Sequence, residues 1–120
     1  MANKKNNSQA EKFEDLLDKF TNANTISLKE KNYGDLVRVG GIINNIRIIK
    51  SKRGDLMAFF TLEDQHGTVE IIIFSSVYAA VQEILFEDNA VIIQGQVKRD
   101  ENSVKILADT VVPIEKAEET

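Results

Sequence analysis

Apolar residues recur along this chain at two different periods. Phe13, Leu16, Leu17 and Phe20 fall at i, i+3, i+4 and i+7, the spacing of one helical face, and charged residues fill the other face. This predicts a short amphipathic helix. Ser27-Leu28-Lys29-Glu30 has the Ser…Glu spacing of a capping box, which predicts a brief helical turn ended by Tyr33-Gly34-Asp35. From Leu36 the period shortens to two. Leu36–Ile49 is rich in β-branched residues, with Val37, Val39, Gly41 and Ile43 alternating with Arg38, Gly40 and Ile42. Fourteen residues is long for one strand, so Gly40-Gly41 is expected to be a bulge or a sharp coil. Lys50–Leu56 reads as a basic loop turning at Gly54, and Met57–Glu63 as the second strand. Asp64-Gln65-His66-Gly67 is a hairpin turn leading to a third strand, Thr68–Phe74. Ser75 or Ser76 can then cap a helix in which Val77, Ala80, Val81, Ile84 and Leu85 share one face. Ala90–Lys98, with a bulge at Gly95, and Ser103–Val112 complete five strands, and Pro113 ends the sheet.

The order β-β-β-α-β-β predicts an all-β fold: a five-stranded Greek-key barrel of the OB type, with one helix between strands three and four. The short amphipathic N-terminal helix is added to it. A long first strand shared by both halves of the barrel fits the same topology. An SH3-like barrel is the alternative, but it has no reason to hold a helix at this place. The expected organisation is a disordered leader or expression remnant at 1–10 and a helix with connector at 11–35. The barrel follows at 36–113 and a loose acidic tail at 114–120.

Composition narrows the chemistry. The chain has 120 residues, 42% of them apolar, which suits one domain with one core. It has no Cys and one His, His66, so disulfides, thiol nucleophiles, Cys-based zinc sites and multi-histidine metal sites are excluded. Met1–Ala10 is polar and carries no signal-peptide core, and no apolar run is long enough for a membrane helix, so a cytoplasmic location is expected. No phosphate-binding Gly-rich loop and no catalytic triad is present, and neither a catalytic residue, a metal, a cofactor nor a small-molecule substrate is expected. The net charge of −4 argues against nonspecific DNA coating. Its distribution tells more. From Leu36 to Leu62 five cations stand against the single anion Asp55, a local charge of +4. A basic stripe in an acidic chain fits weak, localised binding of nucleic acid.

Period two also assigns faces. In the second strand Ala58, Phe60 and Leu62 form one set, and Met57, Phe59, Thr61 and Glu63 the other. In the third, Val69, Ile71 and Ile73 oppose Thr68, Glu70, Ile72 and Phe74. The sets holding Glu63 and Glu70 must face water, because an unpaired buried carboxylate is costly. Phe59 is thereby exposed beside Thr61 and Ile72, as a platform for base stacking. Arg47, Lys50, Lys52 and Arg53 would hold phosphates, and Lys98 and Arg99 would close the groove from the other side. Other readings stay open. Phe59 could pack beneath the N-terminal helix, the Lys50–Arg53 run could be a solvated loop, and Glu70 could be a base-edge acceptor or a solvated carboxylate.

Val37–Phe74 resembles the OB domain near the carboxy-terminal end of the alpha subunit of bacterial DNA polymerase III. The matching pieces are Val37-Arg38-Val39-Gly40-Gly41-Ile42-Ile43, Lys52-Arg53-Gly54, Ala58-Phe59-Phe60-Thr61-Leu62-Glu63-Asp64, Gly67-Thr68-Val69-Glu70 and Ile73-Phe74. The similarity extends back through Thr25-Ile26-Ser27-Leu28 and forward through Val91–Val97 and Val112–Ala117, about three quarters of the chain altogether. The Leu-Glu-Asp-x-x-Gly piece is also similar to anticodon-binding domains of class II aminoacyl-tRNA synthetases. The resemblance implies a single-stranded DNA-binding module of a replicase that contacts the template strand. Its partners would be single-stranded DNA and other domains or subunits of the replicase. Phe59 would be the stacking aromatic and Arg47 the late-strand arginine. The polymerase body is missing from the sequence, so no catalysis is implied for this chain alone. An RNA- or tRNA-binding domain and a protein-docking module are the competing readings.

Overall fold

The computed structural model describes residues 15–119. The leader at 1–10 and Phe13 lie outside the described residues. Five strands form: β1 (Leu36–Lys50), β2 (Leu56–Glu63), β3 (Thr68–Ile73), β4 (Ala90–Arg99) and β5 (Val104–Pro113). A helix, α1 (Ser75–Val81), joins β3 to β4. The strands close into a barrel in the order β1-β2-β3-β5-β4. Closure comes from a parallel pairing of β3 with β5, Glu70 opposite Lys105 and Ile72 opposite Leu107. The predicted five-stranded OB-type barrel is therefore the observed fold. β1 serves both halves: residues 36–42 pair with β4 and residues 42–50 with β2.

The period-two assignment of faces holds in β2 and β3. Ala58, Phe60, Leu62, Val69, Ile71 and Ile73 are all buried in one core with Val37, Val39, Ile43, Val91, Ile93, Val97 and Ile106. Burial on this scale is the main force holding the barrel. Val77, Tyr78 and Val81 of α1 pack on that core. The helix is shorter than its pattern predicts. It passes into a 3-10 turn, Gln82–Ile84, and Ala80 is exposed. Neither Ser75 nor Ser76 caps it; Phe74 holds the N-cap position without a side-chain bond.

Gly40-Gly41 is not the bulge. Both glycines keep regular register with β4, opposite Ile92 and Val91. Both sit where other groups come close, and at Gly41 the neighbour is backbone that cannot give way. A Cβ on Gly41 would lie 2.3 Å from the Glu63 carbonyl oxygen, and one on Gly40 would lie 2.3 Å from Leu17 Cδ2. The irregularity in β1 falls instead between Asn44 and Arg47. Asn45 adopts φ 57°, and the N–H groups of Asn45 and Ile46 donate to the Glu87 carboxylate at 2.8 and 3.1 Å. The β4–β5 register also shifts at Gly95, but the extra residue is Asp109 of β5, between Ala108 and Thr110, and not a residue of β4 as expected.

The segment before β1 is part of the barrel. Ala23 and Leu28 are buried in the main core. A 3-10 turn forms at Ser27–Glu30, but the capping box does not. Asn24 Oδ1 accepts from the N–H groups of Ile26 and Ser27 instead. The Asp64 carboxylate ties this segment to the β2–β3 turn, accepting from Thr25 N–H at 2.8 Å and Thr25 Oγ1 at 2.6 Å. The same carboxylate accepts from the N–H groups of His66 and Gly67. Burial raises the Asp64 carboxyl, but these four hydrogen bonds outweigh it and hold the pKa below the ordinary value of 3.8.

The tail is not loose. Ile114–Glu119 forms a 3-10 helix whose Ile114 and Ala117 are buried against Ile92. Leu16, Leu17 and Phe20, in a helical stretch at 15–20, join that cluster. Among the described residues no helix is long and apolar enough to cross a membrane.

Candidate nucleic-acid interface

The outer surface of the sheet carries two parallel rows of side chains. In one row Arg47, Phe59, Ile72 and Leu107 stand opposite one another across β1, β2, β3 and β5. In the next row Asn44, Thr61, Glu70, Lys105 and Lys98 do the same, ending on β4. Such cross-strand neighbours are close enough for side chains to touch.

Phe59 is half-buried by its neighbours, with Ile72 beside it. The Arg47 guanidinium carbon lies 5.4 Å from the Phe59 ring centroid. At that distance a cation is attracted to the ring, by about 0.5–1 kcal/mol at an exposed site. Arg47 Nη2 also donates to Glu70 Oε1 at 3.0 Å, while Lys105 Nζ lies 3.8 Å from Glu70 Oε2. Arg47, Phe59, Thr61, Glu70 and Ile72, singled out from the sequence, are thus one cluster. The Asn45 bulge makes this possible. Strict alternation from the buried Ile43 would turn Arg47 inward, and the extra residue reverses the parity so that it stands beside Phe59.

Lys50, Lys52 and Arg53 lie beyond this cluster, at the tip of the β1–β2 hairpin. The loop is closed by Ser51 N–H to the Asp55 carbonyl at 2.7 Å and Gly54 N–H to the Ser51 carbonyl at 2.9 Å. Gly54 supplies φ 93°, which the turn requires. All three cations are exposed, and none has an ion-pair partner among the described residues. A hairpin with unpaired cations next to an aromatic surface can hold backbone phosphates while a base lies on the ring.

The opposite flank divides. Lys98 Nζ lies 4.7 Å from the ring centroid of Tyr33, a residue 66% exposed. Arg99 instead turns to the segment before β1, where its Nη1 donates to the carbonyls of Lys29 and Lys31. It lines an open groove of about 800 Å³ with Thr61, Glu70, Lys105 and Lys29, but its guanidinium is engaged in holding the chain. Lys105, Leu107 and Tyr33 were not found by sequence reasoning. The alternation of Lys105 and Leu107 with the buried Ile106 and Ala108 is a signal for them, usable once β5 is known to lie beside β3.

A family model described as an OB-fold nucleic acid binding domain matches residues 37–114. The alpha subunit of DNA polymerase III from Pseudomonas aeruginosa is 34% identical over 109 residues, 89% of this chain and 9% of that protein. The same subunit from Escherichia coli is 31% identical over 88 residues, 72% of this chain and 8% of that one. This chain therefore spans less than a tenth of the length of these relatives. Among solved structures, asparaginyl-tRNA synthetase from Pyrococcus horikoshii superposes with a TM-score of 0.61 at 19% identity, covering 77% of this chain and 22% of that one. The hypothetical protein ygiW from E. coli does so at 0.59 and 24% identity, covering 76% and 87%. These two likenesses establish the fold alone. The family match begins one residue into β1 and ends one residue past β5, on a barrel closed as described above, and the chain belongs to the OB-fold nucleic acid binding domain family.

Proposed function

We propose that this chain binds single-stranded DNA across the outer face of β1, β2 and β3, as the template-contacting OB module of a replicative DNA polymerase alpha subunit. The reading rests on one observation above all. A half-buried ring on the sheet, Phe59, lies against one cation, Arg47, on the hairpin whose tip carries three exposed cations with no ion-pair partner among the described residues. The identity to DNA polymerase III alpha subunits supports the choice of DNA. Bases stack on Phe59 and Ile72, and Arg47, Lys50, Lys52 and Arg53 hold the phosphates. Tyr33 and Lys98 continue the surface on the far side. A cytoplasmic location and contacts with other replicase domains belong to the same reading, and this chain by itself carries out no catalysis.

Fluorescence anisotropy with a labelled single-stranded oligonucleotide tests the proposal. Phe59→Ala is expected to weaken binding by about 5- to 150-fold, the equivalent of about 1–3 kcal/mol for one stacked base. If about four phosphates are neutralised, the logarithm of affinity falls with the logarithm of salt at a slope of roughly −3. An affinity unchanged by Phe59→Ala overturns the stacking role. A clear preference for single-stranded RNA of the same sequence moves the substrate from DNA to RNA.

A further inference from the structure

Glu70 is the carboxylate at the centre of the face. The other face carboxylate, Glu63, sits at the end of β2 and is bonded by the Asn44 side-chain amide at 2.8 Å. Glu70 differs in both position and partners. One oxygen accepts from Arg47 Nη2 at 3.0 Å, and the other lies 3.8 Å from Lys105 Nζ. Its two oxygens therefore bridge cations from two strands that are not neighbours, β1 and β5. An oxyanion bridging an arginine and a lysine beside an aromatic ring is the arrangement in which a backbone phosphate is held.

We infer that the Glu70 carboxylate occupies, between Arg47 and Lys105, the subsite that a phosphodiester of the bound strand takes, so that Glu70 competes with the nucleic acid and sets both its affinity and its salt response. The inference rests on the reading of this face as a single-stranded nucleic-acid interface. All three side chains are open to water, with 61% of the Arg47 side chain, 39% of Lys105 and 32% of Glu70 exposed. Exposed ion pairs exchange readily because water and salt weaken them. Binding is then an exchange of anions. Arg47 and Lys105 pass from carboxylate to phosphate, and the freed Glu70 gathers a counterion. That uptake cancels part of the counterion release that otherwise drives binding. Arg47 need not leave Phe59, because its guanidinium already lies over the ring while its edge faces the subsite. The consequence is a grip that is weak at the central phosphate and strong at the hairpin tip, where Lys50, Lys52 and Arg53 have no internal competitor.

Glu70→Gln keeps the shape of the side chain and removes the charge. In the anisotropy assay it is expected to tighten single-stranded DNA binding by roughly three- to tenfold at low salt. The salt slope should steepen by about 0.7, the contribution of one further phosphate on a single strand. Glu63→Gln makes the same change of net charge at a position with no ion-pair partner among the described residues. It is expected to shift affinity less than about twofold and to leave the slope unchanged. Circular dichroism melting of each variant reports whether the fold is intact. Equal affinity and slope for Glu70→Gln and the wild type, with binding still weakened in Phe59→Ala, overturns the competition and leaves the interface standing. Weaker binding in Glu70→Gln also overturns it, since Glu70 then holds Arg47 in place for the ligand. Equal tightening by Glu63→Gln reduces the effect to net charge and overturns the subsite. Absence of binding in both wild type and Glu70→Gln removes the interface and the subsite together.

Discussion

Replacing Leu28 by Ala tests whether the segment before β1 closes the barrel. Leu28 lies in a 3-10 turn outside the five strands, yet its residue is only 1% exposed and packs in the main core. The substitution removes three buried carbons, about 2.4 kcal/mol of transfer free energy at about 0.8 kcal/mol each. A cavity term adds to this and brings Leu→Ala changes into the range of about 2–5 kcal/mol. Thr25 is tied to Asp64 at 2.8 Å, and Arg99 binds the carbonyls of Lys29 and Lys31, so the turn is pinned on both sides of Leu28 and cannot sink far into the void. A loss of about 3 kcal/mol is expected, a large part of the roughly 5–15 kcal/mol typical of a domain. Urea unfolding followed by circular dichroism measures it as a lower midpoint with an unchanged m value. The control is Leu36→Ala, at a residue 66% exposed, which should change stability by no more than about 0.5 kcal/mol. A loss below about 1 kcal/mol for Leu28→Ala, or a clear fall in m, would refute the reasoning, because the segment would then be an appendage and not part of the cooperative core.

The remaining predictions concern the sheet corner and the β2–β3 turn. Gly41→Ala is expected to cost more than Gly40→Ala in the same unfolding experiment. The new methyl at 41 meets the backbone oxygen of Glu63 at 2.3 Å, whereas at 40 it meets the ends of the Leu17 and Ile92 side chains, which can rotate away. Equal losses would show that the strands part freely at that corner. Asp64→Asn should cost about 1–2 kcal/mol near neutral pH, because charge-assisted hydrogen bonds are weakened and solvent screens this half-buried site. The Asp64 pKa is lowered in the folded protein, so its contribution is present above the ordinary value of 3.8 and is lost as pH falls through the lower folded value. The wild type should therefore lose its advantage over Asp64→Asn in acid, and a difference independent of pH would exclude the carboxylate as its source.

The faces of β2 and β3 were legible because one side of each strand is buried. Ala58, Phe60 and Leu62 alternate with Phe59 and Thr61, and no other register buries the first set. Glu63 and Glu70 marked the wet side, since a lone carboxylate is expelled from a core. Strand order and the placed helix then specified the barrel, and Phe59 with it. Other features depend on residues far apart in the chain. Arg47 reaches Phe59 only because Asn45 forms a bulge, and that bulge is satisfied by Glu87, over forty residues away. Gly40-Gly41 looked like a bulge because glycine signals both a bulge and a close approach, and only the regular pairing with β4 and the nearness of the Glu63 backbone tell them apart. Lys105 joins the face through the parallel pairing of β3 with β5, a contact that exists only once the barrel has closed. Leu28 and the C-terminal turn at Ile114 were hidden for a related reason: each turn is too short for its apolar residues to show a period, and the cavity each one fills is built by other strands. Sequence alone therefore determined what period and turn chemistry encode, the strands and the side of each that is wet. Tertiary structure decided which distant residues stand together on that wet side, because bulge parity and barrel closure are set by partners that no local pattern contains.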